Sequence, residues 1–522
     1  MYHESDSGRK TMGDVDVVYH DGVYHLFHLV LPNHDFIAHA VSDDGLAWHR
    51  VENALFIGHP GAWDDSMLWT MHVSPNPFKP GSWRMFYTGL SQHDNGLVQR
   101  LGMATSDDLY QWVKAPVRWV NQCKRCRIKS AEASIINAPY DEASHFPLES
   151  PAPYYESKLS EGRRWISWRD PFYYRDVDEN RGWLLAAARV PDGPVCRRGC
   201  VSLLEEVAEN QFESHPSLFH PGLYDDIEVP NLLKLRGERY LIGSIREDAK
   251  IRYWHAPDLD TPWANFFDNV LLPKGNYAGR ICLDEHGPMI WNFYSHDITR
   301  RTVKNLLPPP KRIRQLSDGQ LQVASFEGFD KRIKADATAE VFHISKMLVD
   351  KDGSAEINRE AGSIRLRNDA GFQSFLFGAT VDCFRFRARL DMQGNGKCGL
   401  VFRIDPESQD GYFLSLDMYR GVAQLRAWST DNAATGEHMM RFDTLQAGYW
   451  RSRLDRPCEI RLVAYGSYIE FSIDHRIVIS LADQTFSEGK MGFYVESACV
   501  DIDQIHLEQM QRPVTADETL AQ

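Results

Sequence analysis

Three acidic residues occupy comparable places in this sequence, and their types suit the cleavage of an acetal. Asp14 lies in GDVDVVYHDGVYHLF, Asp170 in WRDPF and Glu228 in DDIEVPNLL, each where a predicted strand begins. Glycosidic bonds are cleaved by two carboxyl groups: one protonates the leaving oxygen, and the other attacks or stabilises the anomeric centre. A third carboxylate can hold sugar hydroxyls. Taken singly, each acid also fits a turn residue that hydrogen-bonds the backbone, so the hypothesis needs a fold that brings them together.

A repeated pattern in the first part of the chain predicts such a fold. Two strands joined at Asp21-Gly22, a third strand, a Ser-Asp-Asp turn and Trp48 are followed by a second copy that ends at Trp112. Further copies begin at WRDPFYYR, IEVPNLLKL and NYAGRICL, and each copy has about the length of a four-stranded propeller blade. The pattern predicts a five-bladed β-propeller over residues 1–305, with first strands that line a central funnel. The acids would then meet at the axis.

The residue pattern of the sequence changes after the fifth copy. Three consecutive prolines, Pro308 to Pro310, cannot continue a strand ladder, so residues 306–337 are interpreted as a linker. From 338 to 512, apolar and polar residues alternate between Gly, Asp and Asn turns, as in CFRFRARLDM. This period predicts a β-sandwich of lectin-like build, followed by a tail over 513–522. The predicted fold class is all-β, a five-bladed propeller followed by a C-terminal β-sandwich.

Charge and hydropathy exclude two classes of partner. The 522-residue chain has a formal net charge of -14, whereas binding to nucleic acid usually needs a dense basic surface. No apolar run approaches the roughly 20 residues that span a membrane, and the N-terminus lacks the pattern of a secretory signal. We therefore expect a cytoplasmic protein whose partner is an oligosaccharide or a small glycoside, and the oligomeric state stays open.

Several segments share motifs with one known family of enzymes. VYHDGVYHLFHLVLPNHDFIAHAVSDDGLAWHRV resembles the N-terminal signature of glycoside hydrolase family 32, the β-fructofuranosidases, inulinases and levanases. WRDPF is similar to the Arg-Asp-Pro motif of that family, and IEVP to its Glu-Cys-Pro motif. MFYTG, MATSDDLYQW and NYAGRI resemble its second and fifth blades, in the same order. The resemblance covers roughly residues 10 to 330 and implies a glycoside hydrolase with a five-bladed propeller and a β-sandwich.

This resemblance implies a role for each of the three acids. Asp14 would be the nucleophile, Asp170 would stabilise the transition state through sugar hydroxyls, and Glu228 would be the general acid and base. Attack by Asp14 would give a covalent glycosyl-enzyme that water, or another sugar, resolves with retention. If Asp14 and Glu228 lay far enough apart to admit a water molecule, inversion would follow instead.

The resemblance also implies three contacts with the substrate. Arg169 would bind substrate hydroxyls beside Asp170. The segment AWDDSMLWT is similar to a substrate-binding segment of the family, which makes Asp64 and Trp69 candidate substrate contacts.

The chain departs from the family pattern in the first sugar subsite. Its nucleophile motif reads GDVDV, so Asp16 is a rival to Asp14. The resemblance favours Asp14, because its spacing to Tyr24 fits better the Asp-to-Tyr distance in related five-bladed families. The chain also reads YHLFHL where the family has a glutamine, and Val229 replaces the cysteine of Glu-Cys-Pro. The substrate is therefore expected to be a β-fructofuranoside or a closely similar furanoside.

Two other hypotheses remain open at this point. An inverting arabinofuranosidase or xylosidase of the same propeller type has acids at similar blade positions, although Arg169-Asp170-Pro171 favours the first assignment. A non-catalytic carbohydrate-binding protein is the second, because the motif around Asp14 is altered.

The cysteines suggest a structural metal site. Two close pairs, Cys123 with Cys126 and Cys196 with Cys200, offer four thiolates, which match a tetrahedral structural zinc site. Free thiols, or disulfides in an oxidising compartment, are the alternatives. No cofactor is expected for catalysis, since the histidines show no spacing typical of a catalytic metal site.

Overall fold

The computed structural model describes residues 2, 11–119, 138–159, 161–294, 305–432, 438–453 and 456–513. In these ranges the chain forms 34 strands, one α-helix of four residues, α1 (Thr338–Val341), and three short 3-10 helices (Gln92–Asp94, Val195–Arg197 and Glu327–Arg332). No helix in the described ranges has the length and apolar character needed to cross a membrane. The predicted all-β fold class is confirmed.

Five antiparallel sheets follow one another along the described chain, and each is one blade of a propeller. Strands that are consecutive in sequence pair with each other within each blade, except that the last two strands of blade 1 both pair with its third strand. The strands are β1 (Thr11–His20), β2 (Val23–Leu31), β3 (Phe36–Ser42), β4 (His49–Arg50) and β5 (Leu55–Phe56) in blade 1; β6 (Met67–Pro75), β7 (Trp83–Leu90), β8 (Arg100–Ser106) and β9 (Val113–Lys114) in blade 2; β10 (Trp168–Asp176), β11 (Arg181–Arg189), β12 (Gly199–Ala208) and β13 (Gln211–Phe219) in blade 3; β14 (Glu228–Leu235), β15 (Glu238–Ile245), β16 (Lys250–Ala256) and β17 (Val270–Leu272) in blade 4; and β18 (Asn276–Asp284), β19 (Gly287–Tyr294), β20 (Lys311–Gln315) and β21 (Leu321–Ala324) in blade 5.

The Ser-Asp-Asp turns of blades 1 and 2 close in the same way. Oδ1 of Asp44 accepts the backbone N–H groups two and three residues later, both at 2.8 Å. Oδ1 of Asp108 accepts the equivalent N–H groups at 2.8 and 2.7 Å. An aspartate side chain that bonds the following backbone stabilises a tight turn. The repeat visible in the sequence is therefore a repeat of turn structure.

The C-terminal unit is a 13-stranded, hydrogen-bonded sheet that folds over one hydrophobic core in the manner of a sandwich. The long strand β34 lies at its centre, between β26 and β27, and also pairs along β25. The strands are β22 (Ile333–Asp336), β23 (Ser345–Lys346), β24 (Ser354–Asn358), β25 (Ser363–Val381), β26 (Phe384–Gln393), β27 (Lys397–Ile404), β28 (Gly411–Asp417), β29 (Val422–Asn432), β30 (His438–Tyr449), β31 (Cys458–Tyr465), β32 (Tyr468–Ile473), β33 (Arg476–Ala482) and β34 (Gly489–Met510).

The boundary between the two units differs from our expectation. Residues 311–324 form the two outer strands of blade 5, so the boundary at residue 305 and the linker over 306–337 were wrong. The proline run ends directly before β20 and interrupts no strand, which is a position where proline is tolerated. Strand β22 begins at Ile333 and already pairs with β34, so the connector is short. Most of the expected tail over 513–522 lies outside the described residues.

The two units pack against each other through blade 5. The hydroxyl of Tyr294 lies 2.7 Å from the hydroxyl of Ser480 in β33. Lys311, at the start of β20, is completely buried at this interface, with its ammonium group 5.7 Å from the ring centre of Tyr294 and 5.4 Å from that of Tyr468. The sandwich therefore braces the last blade of the propeller.

Candidate active site

The first strand of every blade is interrupted at the same place by a β-bulge. The register shifts lie between Met12 and Val15, Trp69 and Met71, Arg169 and Phe172, Glu228 and Asn231, and Tyr277 and Arg280. A bulge bends its strand and re-aims the side chains at that point. Asp14 and Asp170 lie inside such bulges and Glu228 borders one, so the same distortion places all three acids at the centre of the propeller.

Three of these bulges contain a residue in the left-handed backbone region. The φ angles are +60° at Asp170, +50° at Val229 and +51° at Ala278. This conformation is unfavourable for residues with a side chain, by about 1–3 kcal/mol each, and for a β-branched valine above all. The surrounding contacts must therefore hold the bulges in place.

Asp14 lies in the bulge of β1 and is partly exposed. The hydroxyl of Thr70, in the bulge of blade 2, donates a hydrogen bond to its Oδ2. Burial raises the pKa of Asp14 to about 7, and the charge of Asp170 and then that of Glu228 act in the same direction. The structure thus brings these three carboxyl groups within electrostatic reach of one another.

Asp170 is held more tightly and is only 2% exposed. Its Oδ2 accepts the backbone N–H of Val229 at 3.0 Å, and its own N–H donates to the hydroxyl of Thr88 at 3.1 Å. Burial raises the pKa of Asp170, with Arg169 opposing and Glu228 adding to the effect. These contacts fix the orientation of its carboxylate. A group that binds sugar hydroxyls needs such a fixed orientation.

Glu228 accepts a hydrogen bond at each of its two carboxylate oxygens. Nη2 of Arg169 donates to Oε1 of Glu228 at 2.6 Å, and the hydroxyl of Tyr277 donates to Oε2. The side chain of Glu228 keeps 14% of its surface exposed, so it can meet a ligand in the funnel. Two donors on a partly exposed carboxyl fix its orientation.

Arg169 is anchored by more than Glu228. The same Nη2 lies 3.2 Å from Oδ2 of the buried Asp226, and Nη1 donates to the hydroxyl of Ser167. The expected contact of Arg169 with substrate hydroxyls therefore stays a prediction. The contacts observed in the structure are with protein groups, among them the carboxylate of Glu228 and the hydroxyl of Ser167.

The rival nucleophile Asp16 lies two residues further along β1 and is 1% exposed. Its Oδ2 accepts the backbone N–H of Val73 at 2.5 Å and lies 3.3 Å from Nδ1 of His72. A buried carboxylate that already binds the backbone is poorly placed to attack a ligand. The geometry favours Asp14 over Asp16.

The other two predicted contacts have different surroundings. Asp64 is 2% exposed; its Oδ2 lies 2.5 Å from Nζ of Lys114 and accepts the hydroxyl of Tyr87 at 3.0 Å. This buried pair within blade 2 engages the carboxylate of Asp64, so its expected contact with the substrate stays a prediction. Trp69 is partly exposed, and the centre of its ring lies 6.0 Å from that of His34, so its expected contact with the substrate stays a prediction.

Four residues of the site were not predicted: Thr70, Asp226, Tyr277 and Arg280. Each belongs to a segment noted in the sequence, namely LWT, DDIEVP or NYAGRI. Their neighbours along the strand were visible, but the bulges decide which side chain faces the axis. Strand alternation alone does not show where a bulge occurs.

The predicted zinc site is only partly within the described residues. Cys123 and Cys126 lie outside them. Cys196 is exposed, and Cys200 is buried in the core of blade 3, where burial raises the pKa of its thiol. No group of three or more possible metal ligands is found in the described part of the chain. The four-thiolate site stays a prediction.

Comparison with known families finds a match in the first two blades of the propeller. Residues 10–129 match the model of the "Glycosyl hydrolases family 32 N-terminal domain". No curated protein matches the sequence significantly. The family match confirms the predicted resemblance and, with it, the predicted class of enzyme, a glycoside hydrolase.

Solved structures share the architecture of the whole chain. Fructan 1-exohydrolase IIa from Cichorium intybus superposes with a TM-score of 0.64 at 14% identity, covering 96% of this chain and 95% of the other. Sucrose-6-phosphate hydrolase from Lactobacillus gasseri gives 0.63 at 14% identity, covering 96% and 91%. Fructofuranosidase from Schwanniomyces occidentalis, complexed with fructose, gives 0.59 at 12% identity, covering 94% and 95%. At such identities the likeness confirms the fold, a five-bladed propeller followed by a sandwich.

Proposed function

We propose, from the family 32 glycosyl hydrolase domain that the N-terminal part of this chain carries, that the protein cleaves β-fructofuranosides or a closely similar furanoside. The convergence of Asp14, Asp170 and Glu228 at the propeller axis carries this proposal. The names of the structural neighbours, which include a fructofuranosidase complexed with fructose, support a fructoside as the substrate. The departures at Leu29, which stands where the family has a glutamine, and at Val229 are compatible with a related furanoside as the substrate.

The proposed reaction proceeds in two steps with retention. Glu228 gives a proton to the leaving oxygen while a carboxylate oxygen of Asp14 forms a bond to the anomeric carbon, so the glycosidic bond breaks and a covalent glycosyl-enzyme forms. Glu228, now a carboxylate, then takes a proton from water, and the resulting oxygen nucleophile releases the sugar from Asp14. A second sugar in place of water would give transfer. Asp170 holds sugar hydroxyls throughout.

The contacts around the acids support these assigned roles. Asp14 needs to be ionised to attack, and its pKa of about 7 makes it available at neutral and higher pH. Glu228 moves a proton, and its orientation is set by Arg169 and Tyr277. Positioning of this kind can account for several orders of magnitude in rate.

A substrate screen tests the proposal. Hydrolysis of sucrose, inulin, levan and an aryl α-arabinofuranoside would be followed for the wild-type protein and for Asp170→Asn. We expect hydrolysis of at least one fructoside, with a loss of about 10²- to 10⁴-fold in Asp170→Asn, the range typical of a removed catalytic side chain. Asp178→Asn, in an exposed turn beyond the end of β10, is the matched control and should keep wild-type activity. Cleavage of the arabinofuranoside alone would contradict the assignment to fructosides.

A further inference from the structure

Arg280 has the most unusual surroundings among the charged residues of the funnel. It is completely buried, and its guanidinium group donates to three backbone carbonyl groups: to Pro230 at 2.9 Å, to Pro171 at 2.8 Å and to Met71 at 3.2 Å. These carbonyls belong to blades 4, 3 and 2, while Arg280 itself belongs to blade 5. One side chain therefore connects four of the five first strands.

The carbonyl groups that Arg280 binds all lie at the bulges. Met71 follows Thr70, Pro171 follows Asp170, and Pro230 follows Val229. Each blade is a separate sheet, so no backbone ladder fixes the first strand of one blade against that of the next. A planar guanidinium group has several donors in a fixed geometry. Its hydrogen bonds therefore fix the first strands of these blades against one another.

The charges around Arg280 are mostly acidic. Asp16, Asp170 and Asp14 attract it electrostatically, from β1 and β10. His72 of β6 lies against Asp16, and Tyr277 of β18 donates a hydrogen bond to Glu228 of β14. A buried cation without opposite charges would be strongly destabilising. The acids and Arg280 therefore depend on each other.

We propose that Arg280 is the positioning residue of this site, and that its guanidinium group sets the register of the bulges that present Thr70, Asp170 and Glu228 to Asp14. The proposal rests on the proposed function, because it takes Asp14 as the nucleophile. Arg280 touches no substrate in this arrangement. It acts through the backbone of three neighbouring blades and through its charge beneath the acids.

Two variants separate the geometry from the charge. Arg280→Lys keeps the positive charge but loses the planar fork, and Arg280→Met loses both. We expect Arg280→Lys to lower kcat by about 100-fold, the order expected when reacting groups are displaced by about 1 Å, with little change in KM. Arg280→Met should in addition move the acid limb of the pH profile of kcat/KM to higher pH, because the ionised form of Asp14 loses a nearby positive charge.

The matched control is Arg239→Met in blade 4. Arg239 is also a buried arginine that binds a carbonyl, that of Pro257, and a carboxylate, that of Asp176, but it lies away from the bulges. We expect this variant to be less stable and to keep the wild-type kcat and pH profile. Wild-type kcat in Arg280→Lys, or an acid limb that does not move in Arg280→Met, would overturn the proposal.

The pH dependence of unfolding tests the coupling between Arg280 and Asp14 without substrate. Because the pKa of Asp14 is raised in the folded state, the free energy of unfolding falls as the pH rises towards about 7. In Arg280→Met this fall should continue above pH 7, and adding Asp14→Asn should remove most of the additional fall. Arg280→Gln, which keeps an amide donor, replaces the methionine variant if that variant does not fold.

Unfolding and activity measurements distinguish the role of Arg280 from the proposed function. An additional fall that Asp14→Asn leaves unchanged would refute the coupling between Arg280 and Asp14, whatever the activity. A wild-type protein that cleaves no furanoside would count against the proposed function, while the unfolding data would still decide the role of Arg280.

Discussion

Replacing Asp14 by asparagine should abolish hydrolysis and at the same time stabilise the folded protein at alkaline pH. The side chain keeps its size and can still accept the hydrogen bond from Thr70. What it loses is the charge, which burial, Asp170 and Glu228 all disfavour. A gain of stability on removing an ionisable group is therefore expected to accompany the loss of activity.

The size of the effect follows from the pKa of Asp14. It is raised from 3.8 to about 7 in the folded protein, and one pKa unit corresponds to about 1.4 kcal/mol. Keeping Asp14 ionised above pH 7 thus disfavours folding by about 4 kcal/mol, an effect that is absent below pH 3.8 and develops between the two pKa values. The stability gained by Asp14→Asn should be about 3 kcal/mol larger at pH 8 than at pH 5.

Denaturant unfolding at pH 5 and pH 8, with wild type and variant side by side, measures this difference. Asp176→Asn is the control. Burial opposes ionisation of Asp176, but the hydrogen bonds from Arg239 and from the backbone of Glu179, together with the charges of Lys234 and Arg239, outweigh burial and lower the pKa. Its loss of stability should be the same at both pH values, since both lie above the unfolded pKa. Equal stability changes at pH 5 and pH 8 in Asp14→Asn would refute the reasoning about the acidic site.

Three further predictions concern the site, the domain interface and the cysteines. Tyr277→Phe should lower kcat about tenfold, because Glu228 loses a hydrogen bond to a charged group; unchanged steady-state kinetics would contradict its role. Lys311→Met should remove a rise in the free energy of unfolding above pH 7, because burial lowers the pKa of Lys311 to about 7 and the unfolded chain keeps the proton to about 10.5; thermal unfolding across this range checks it. If the two cysteine pairs bind zinc, atomic absorption should find about one zinc ion per chain, lost in Cys123→Ser; zinc-free protein would contradict that site.

The blades could be predicted from the sequence because their signals are local. The turn at Asp21 and Gly22 has φ angles of +47° and +83° at these residues, which is the conformation that an Asp-Gly hairpin turn favours. The aspartates of the Ser-Asp-Asp turns bond their own neighbours. The outer strands of blade 5 were missed because three prolines precede them, and a proline run does not show whether a strand ends or begins there.

The site was predictable as far as its acids, and less so beyond them. Asp14, Asp170 and Glu228 stand at strand starts, where residue type and position coincide. The charged partner of Asp64, Lys114, lies 50 residues away along the chain, and Glu228 lies 59 residues away from Arg169. Such pairings depend on the packing of the blades. The position of Arg280 depends on the bulges. No residue propensity would place a valine or an alanine in the left-handed conformation that occurs there.

Trapping the covalent intermediate tests the central claim, that Asp14 attacks the anomeric carbon and Glu228 assists, most directly. Glu228→Ala would be incubated with an aryl β-fructofuranoside, whose leaving group needs little protonation, so that the first step proceeds and the second is slow. Peptide mass spectrometry should then find one fructosyl residue on the peptide that contains Asp14, with fragmentation placing it on that residue. An adduct on Asp16, or turnover by the wild type with no adduct in the variant, would contradict the mechanism.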